Sequence, residues 1–367
     1  MNVAIVTWIG TGNFGTSLQS YALHEYLKQK GYNVCLLNEV SNNRKSIIAR
    51  IKNILIHTKS SLKIFLSKTG IIKSNSHKIS SFNELNYNII NVRSGDTESI
   101  VANTDVFVTG SDQIWNCYHS FSPFMFLSFA GEKKRVAYAS SIGTKDFPCS
   151  CASEVKKYLS LFKNIGVREK SACLYLKTFL GREDIKQVLD PTFLLDSSHW
   201  SHFSNNATIE FDVPKEYIFC YFIGNNTSYG PLLEKIKKQI GIESVIVIQS
   251  LENKNFNSKD CRIYKQAGPY EFVYLLRNST MVCTDSFHAC ALSINLSKQF
   301  VVFKRFNDDD PKSQNTRIYD LLDVFDIKQC MSEDARTIPY INFEPVQNTL
   351  NEMREDSSNY LLSSIGN

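Results

Sequence analysis

The sequence is marked first by what it lacks. No run of 18 apolar residues occurs in its 367, so no membrane-spanning helix is expected. No Cys-x-x-Cys occurs, and the closest cysteines are Cys149 and Cys151, which argues against a zinc ribbon or a thioredoxin-type redox site. Cys35, Cys220, Cys283 and Cys290 sit among apolar residues, where cysteine acts as a small core hydrophobe, and a reducing cytosol is the expected home. The N-terminus has no basic segment, and its apolar stretch runs straight into glycines, so no signal peptide is expected. Neither sign of charge dominates. With 41 Lys and Arg against 36 Asp and Glu, the net charge of +5 is too mild for a nucleic-acid binder, but it suits anionic substrates or an anionic membrane surface. No internal repeat is visible.

What is present is alternation. Residues 2–9 (NVAIVTWI) are short, apolar and β-branched, which predicts a buried strand. A glycine loop follows, then a helix over 16–30 ended by Gly31, and a strand over 32–37. This βαβ unit implies a parallel sheet. Further strands are expected at 105–109, 135–139 and 164–167, a helix at 169–180, and a strand at 186–195 that breaks at Asp190-Pro191. The polar stretch 197–207 (SSHWSHFSNNA) reads as the linker. Beyond it, strands are expected at 217–223, 244–249, 281–284 and 300–304, with helices at 231–240, 269–277, 287–297 and 316–325. The fold class is therefore α/β, with two Rossmann-like lobes over 1–200 and 208–343. The tail from 344 reads as a helix that could pack back on the first lobe.

Gly10-Thr11-Gly12-Asn13-Phe14-Gly15 matches the dinucleotide fingerprint, with Glu39 ending the next strand. Such loops also serve as tight turns with close helix packing, and nothing downstream supplies a hydride-transfer site. The motif alone leaves NAD binding open.

Several short motifs follow in order: Asn13-Phe14-Gly15 with Leu18-Gln19-Ser20-Tyr21-Ala22-Leu23; Gly110-Ser111-Asp112-Gln113-Ile114-Trp115-Asn116; Tyr138-Ala139-Ser140-Ser141-Ile142-Gly143; Val167-Arg168-Glu169-Lys170-Ser171; Leu189-Asp190-Pro191-Thr192; Gly268-Pro269-Tyr270-Glu271-Phe272; Thr284-Asp285-Ser286-Phe287-His288; and Asn315-Thr316-Arg317-Ile318 with Leu321-Leu322. Each is weak alone. Together, from about residue 3 to 325, they resemble the polysaccharide pyruvyl transferase family. The resemblance implies a fold like two-lobed GT-B glycosyltransferases, with the site in the cleft between lobes. It also implies phosphoenolpyruvate as donor and co-substrate, a cyclic pyruvate ketal on a sugar as product, and no metal or further cofactor. One branch of the family carries Arg two residues before the motif histidine; here that position is Ser286, so a second donor cation must come from elsewhere, with Lys304, Arg305 and Arg317 as candidates.

Such a ketal requires a proton on the donor methylene, cations for the carboxylate and phosphate, and acceptors that orient sugar hydroxyls. His288 is the expected acid, because imidazole titrates near neutrality and this one opens a helix just past a strand end. Asp285 or Ser286 could cap that helix, and its first N–H groups, with Ser286 and Phe287, suit an anion. Arg168 is the expected donor cation, gripping bidentately. Asp112, Gln113 and Trp115, with Asn13 and Gln19, are expected to hold the acceptor by hydrogen bonds and one ring face. Between Arg44 and Lys78 no acid appears, while Arg44, Lys45, Arg50, Lys52, Lys59, Lys63, Lys68 and Lys73 accompany apolar residues at helical spacing. This stretch reads as a helix of the first lobe or as a peripheral contact with the inner face of the plasma membrane, fitting a lipid-diphosphate-linked oligosaccharide acceptor. The rival readings are a nucleotide-sugar glycosyltransferase, a non-catalytic glycan-binding relative and, last, an NAD enzyme.

Overall fold

The computed structural model describes residues 1–10, 12–40, 76–93, 97–250, 256, 260–310, 313–332 and 338–366. Most of the basic stretch, from Arg44 to Lys73, lies outside them.

The first lobe carries β1 (Asn2–Val6), β2 (Asn33–Val40), β3 (Ile89–Arg93), β4 (Val106–Thr109), β5 (Lys134–Ser140), β6 (Asn164–Val167) and β7 (Lys186–Gln187). They form one parallel sheet in the order β3-β2-β1-β4-β5-β6-β7. The second lobe carries β8 (Ile218–Phe222), β9 (Val245–Gln249), β10 (Cys261–Tyr264), β11 (Met281–Thr284), β12 (Phe300–Phe303) and β13 (Met331–Ser332). Their order is β10-β9-β8-β11-β12-β13, again parallel. Both lobes are Rossmann-like, as the alternation implied. Val3 to Val6 and Met281 to Thr284 are buried throughout, because helices cover both faces of each sheet, and this is why the strands read as unbroken apolar runs.

In each sheet the chain first builds outward on one side of the leading strand, β1 or β8, then crosses to its other side with β4 or β11. That reversal opens a crevice at the carboxyl ends of the leading strand and its crossed-over neighbour, where open α/β sheets hold ligands. The two lobes present these ends to each other. Phe14, at the start of the helix Phe14–Gln29, stacks on Phe272 of the second lobe with ring centroids 5.1 Å apart and meets Tyr221 edge-on at 5.7 Å. One continuous apolar cluster therefore runs from Val3 and Leu18 through Phe272 and Leu292. A largely buried latch lies beside it: Lys78 Nζ donates to Glu271 Oε1 at 2.7 Å across the lobes.

Three elements differ from expectation. The strand expected over 186–195 pairs only at Lys186 and Gln187; Asp190 then caps a short 3₁₀ turn, accepting from Thr192 N at 3.0 Å. The stretch expected as linker is largely the helix Ser197–Ser204, capped by Asp196 and burying Trp200, Phe203 and Ser204. Its polar composition hides an apolar face at spacing three to four; the chain crosses between lobes after it, over 205–217. The helix Phe343–Gly366 touches both lobes. Gln347 donates to Ile294 O at 2.7 Å in the second. In the first, Ser357 Oγ accepts from Leu189 N at 2.9 Å and Tyr360 OH donates to Ala137 O at 3.2 Å.

Candidate functional site

A cleft of about 580 Å³ opens between the lobes, and strand-end loops line it. Trp8, Ile9 and Asn13 follow β1; Asp112, Gln113, Asn116 and His119 follow β4; Ile223, Gly224 and Asn225 follow β8; Arg305, Phe306 and Gln314 follow β12. Beyond Asp112 and Arg305 these linings are mainly neutral amides and rings, a surface suited to hydroxyl-rich ligands.

The loop after β4 is shaped by backbone demands. Gly110 has φ +123°, and a Cβ there would lie 2.0 Å from Tyr138 O, so only glycine fits. Asp112 has φ +67°, the left-handed region that Asp tolerates better than most residues. The turn aims its carboxylate at the cleft floor. Oδ2 accepts from Thr16 Oγ1 at 3.0 Å, and Oδ1 accepts from Gln113 N at 2.8 Å. Gln19 steadies the loop from beneath: it is fully buried, donates to Thr7 Oγ1 at 3.0 Å and accepts from Ser111 N at 3.2 Å. Gln19 is thus a support of the loop and does not reach an acceptor. Trp115 also departs from its expected role. It is 0% exposed, donates to Met125 O at 3.2 Å and stacks on Phe126, so no ring face is left for a sugar. Asn13 does line the cleft, but its side chain caps the helix Phe14–Gln29, accepting from Gly15 N at 2.9 Å.

Beneath the floor lies a charged cluster. Arg168 Nε donates to Glu169 Oε1 at 2.8 Å, Nη1 donates to Asp190 Oδ2 at 2.9 Å, and Nη2 lies 3.8 Å from Asp112 Oδ1. The guanidinium stacks 4.0 Å from the centre of the Phe287 ring. Burial would lower the Arg168 pKa, but Glu169, Asp190 and Asp112 raise it. The bidentate grip expected of Arg168 is therefore already made, to protein carboxylates; Nη2 alone has no hydrogen-bond partner. Asp190 Oδ2 also accepts from Ser111 Oγ at 2.9 Å and lies 3.6 Å from His288 Nε2. Burial would push the Asp190 carboxyl up, yet His288 and Arg168 hold it well below the usual carboxylate range. Asp112 follows the same pattern, with His288, Arg168 and Arg317 outweighing burial.

The second lobe contributes His288, in the first turn of the helix Phe287–Asn295. Neither expected cap forms there: the Ser286 side chain makes no capping bond. Asp285 turns away to accept from Ile223 N and Gly224 N, both at 2.7 Å, and from Tyr229 OH at 2.8 Å. The three candidate cations separate clearly. Lys304 Nζ pairs with Asp308 at 2.6 Å. Arg305 is clamped on Asp285, with Nε 3.2 Å from Oδ2 and Nη2 donating to the Asp285 carbonyl at 2.7 Å. Arg317 is buried with no carboxylate in an ion pair among the described residues, and its Nη2 donates to Gln314 Oε1 at 2.8 Å. Burial, with Arg168 and Arg305 beside it, pushes its pKa down to about 9. The amides of Gln113 and Gln314 meet at 3.0 Å and join the two lobes above it. With the Gln113 oxygen turned toward Arg317, it accepts from Nη1 at 3.1 Å.

Four buried polar atoms of this cluster have no hydrogen-bond partner in the protein: Arg168 Nη2, Glu169 Oε2, His288 Nε2 and Arg317 Nε. The two guanidinium atoms are donors, and the imidazole nitrogen is one when protonated, against the single unpartnered acceptor Glu169 Oε2, so the cluster is short of acceptors. Ser111, Glu169, Asp190 and Gln314 were not singled out from the sequence. For Asp190 and Glu169 a signal existed, since both are acids at the carboxyl ends of strands in short motifs. No group of three or more His, Cys, Asp and Glu placed to hold a metal occurs among the described residues.

Among solved structures, UDP-GlcNAc 2-epimerase from Neisseria meningitidis bound to UDP-GlcNAc matches with a TM-score of 0.51 at 10% identity, covering 99% of this chain and 100% of that one. UDP-N-acetylglucosamine 2-epimerase from Rickettsia bellii matches at 0.48, with 11% identity and 100% and 97% coverage. Acinetobacter baumannii MurG matches at 0.45, with 11% identity and 99% of each chain. The first likeness shows the fold, two Rossmann-like lobes of GT-B type. No curated protein matches the chain. A family model described as polysaccharide pyruvyl transferase matches residues 13–305.

Proposed function

Because the chain belongs to the polysaccharide pyruvyl transferase family, we propose that it moves the pyruvyl group of phosphoenolpyruvate onto two hydroxyls of one sugar in a bacterial surface glycan. The observation that carries this reading is the set of unpartnered buried donors on Arg168 and Arg317, in one cluster with His288 beneath the floor residues Asp112 and Gln113 of a largely amide-lined cleft. A small, highly charged anion supplies the acceptors that set lacks, and a sugar fits the cleft above it.

In this reading Arg317 takes the place of the arginine missing at Ser286. A buried guanidinium stays charged at neutral pH, so a pKa lowered by burial and then by Arg168 and Arg305 marks a desolvated cation beside two others, a strain that an anion relieves. Protonated His288 gives its proton to the donor methylene carbon, the C=C electron pair forming the new C–H bond. One sugar hydroxyl oxygen bonds to the central carbon. The bond from that carbon to the phosphate oxygen then breaks, its electron pair leaving with phosphate, and the second hydroxyl closes the ketal. Of the two hydroxyl protons, one returns to His288 and the other leaves on phosphate. Asp112, on the cleft floor, accepts a hydrogen bond from the attacking hydroxyl.

The acceptor is proposed to be lipid-diphosphate-linked, which would place the enzyme at the inner membrane face; no helix among the described residues is long and apolar enough to cross a membrane. The test is direct. Phosphoenolpyruvate should raise the melting temperature where UDP-sugars do not, and His288→Gln should lose at least about a hundredfold in kcat while keeping the donor shift. Stabilisation by UDP-sugars alone would replace this reading with glycosyl transfer.

A further inference from the structure

The glycine loop that resembles a dinucleotide fingerprint has a different occupant. Gly15 stands in the first turn of the helix Phe14–Gln29, and its Cα faces the second lobe. A Cβ built on Gly15 would lie 2.3 Å from His288 Nδ1, 2.7 Å from Cγ and 2.9 Å from Cβ. The φ of Gly15 is not in the left-handed region, so the backbone tolerates a side chain, and the three nearest atoms that would meet one all belong to the His288 side chain. On the far edge of the ring, Nε2 lies 3.6 Å from Asp190 Oδ2. Asp190 is itself immobilised: Thr192 N and Oγ1 donate to its Oδ1 at 3.0 and 2.8 Å, while Ser111 and Arg168 donate to Oδ2.

We propose that Gly15 and Asp190 are positioning residues: together they form a seat on the first lobe that fixes the imidazole of His288, which the second lobe supplies. Gly15 holds the Nδ1 edge by close packing, and Asp190 faces Nε2 as counter-charge. The consequence is that the acid is assembled only when the lobes are closed. Phe14, one residue before Gly15, anchors that closure against Phe272 and Tyr221. The third glycine of the fingerprint, which in a dinucleotide site serves close packing of helix on strand, here receives a side chain of the second lobe instead. The role given to the seat rests on the reading of His288 as the acid; its geometry does not.

The test uses the full chain and a double-mutant cycle. Gly15→Ala should lower the denaturant midpoint, because a methyl group is forced into the ring. In a His288→Ala background, where only the Cβ contact remains, that loss should shrink to less than half. Additive losses would overturn the seat whether or not any transfer activity is found. Where transfer is measured, Gly15→Ala should lower kcat at least about tenfold, with the donor KM changed less than about twofold, and should add nothing to His288→Gln. For Asp190, the groups near the ring are Asp190 and Asp112, with Arg168, Glu169 and Arg317 in the same cluster. Asp190→Asn should therefore move the alkaline limb of kcat to lower pH than in wild type. An unmoved limb with lowered kcat would reduce Asp190 to a scaffold for Arg168. Coupled stability losses with no pyruvyl transfer on any acceptor would keep the seat and remove the proposed function.

Discussion

β4 and β11 stand in the same place in their sheets, each lying beside the leading strand and each ending in threonine, yet their carboxyl ends do different things. After Thr109 the chain turns through Gly110-Ser111 into a left-handed Asp112 whose carboxylate lines the cleft. After Thr284 the acid follows at once: Asp285 is 0% exposed and serves the second lobe's own backbone, tying the ends of β8 and β11 to Arg305. One topology thus places an acid at both crevices, and the loop between strand and acid decides whether it meets solvent-side chemistry or holds the fold. The same division separates the arginines. Arg168 has Glu169, Asp190 and Asp112 around it, whereas Arg317 has none in an ion pair among the described residues.

The strongest way to break this comparison is to remove both acids. Asp285→Ala leaves Arg305 Nε, Tyr229 OH and two backbone N–H groups without their acceptor, so chemical denaturation should show a loss of about 3–5 kcal/mol. Asp112→Asn should stay within about 1 kcal/mol of wild type while turnover falls at least about tenfold. If the two losses came out equal, the division of labour would be wrong. Next is acid stability. The Asp190 carboxyl lies below its unfolded value of 3.8. The stability it contributes is therefore complete above that pH and is lost as pH falls through the lower folded value. Urea titrations between pH 2 and 7 should show Asp190→Asn less stable at pH 7, by on the order of 2–3 kcal/mol, with the gap closing in acid. A gap constant with pH would mean that its pairing with Arg168 and His288 contributes nothing.

A third prediction sharpens the arginine contrast. Arg317→Gln should leave the melting temperature of the free protein unchanged or slightly raised, because a buried cation beside two others is removed. It should raise the donor KM and abolish stabilisation by phosphoenolpyruvate. Clear destabilisation of the free protein would show that Arg317 holds the fold in the absence of an anion. The smallest effect expected is at Trp115. Trp115→Phe should leave the acceptor KM unchanged, since the indole faces Phe126 and Phe162 in the core.

Much of the fold was legible because parallel strands buried on both faces read as short apolar runs, and Met281 to Thr284 and Asn164 to Val167 were placed to the residue. The helix Ser197–Ser204 was not, because Trp200 and Phe203 are too few to stand out among serines and histidines. The members of the cluster could be picked from their motifs, but their partners could not. Arg168 and Asp190 are 22 residues apart in the chain and joined by a 2.9 Å bond, and only the packed fold shows that this bond uses up part of the guanidinium. Trp115 was expected to offer a ring to the acceptor because it follows Asp112 and Gln113 in an acidic-polar-aromatic cluster, while its side chain points into the core. Gly15 was visible as a turn glycine; that a side chain from the second lobe fills its missing Cβ is a fact of lobe packing with no local signature.

The helix Phe343–Gly366 imposes an order on biosynthesis. It covers Tyr138, Gly166 and Leu189 of the first lobe, but it leaves the ribosome only after the whole second lobe has been made. At roughly 5–20 residues per second, a nascent first lobe waits on the order of ten seconds with that face uncovered. During translation this face stays open to a chaperone until the helix emerges, and a ribosome stalled within the second lobe would leave it uncovered.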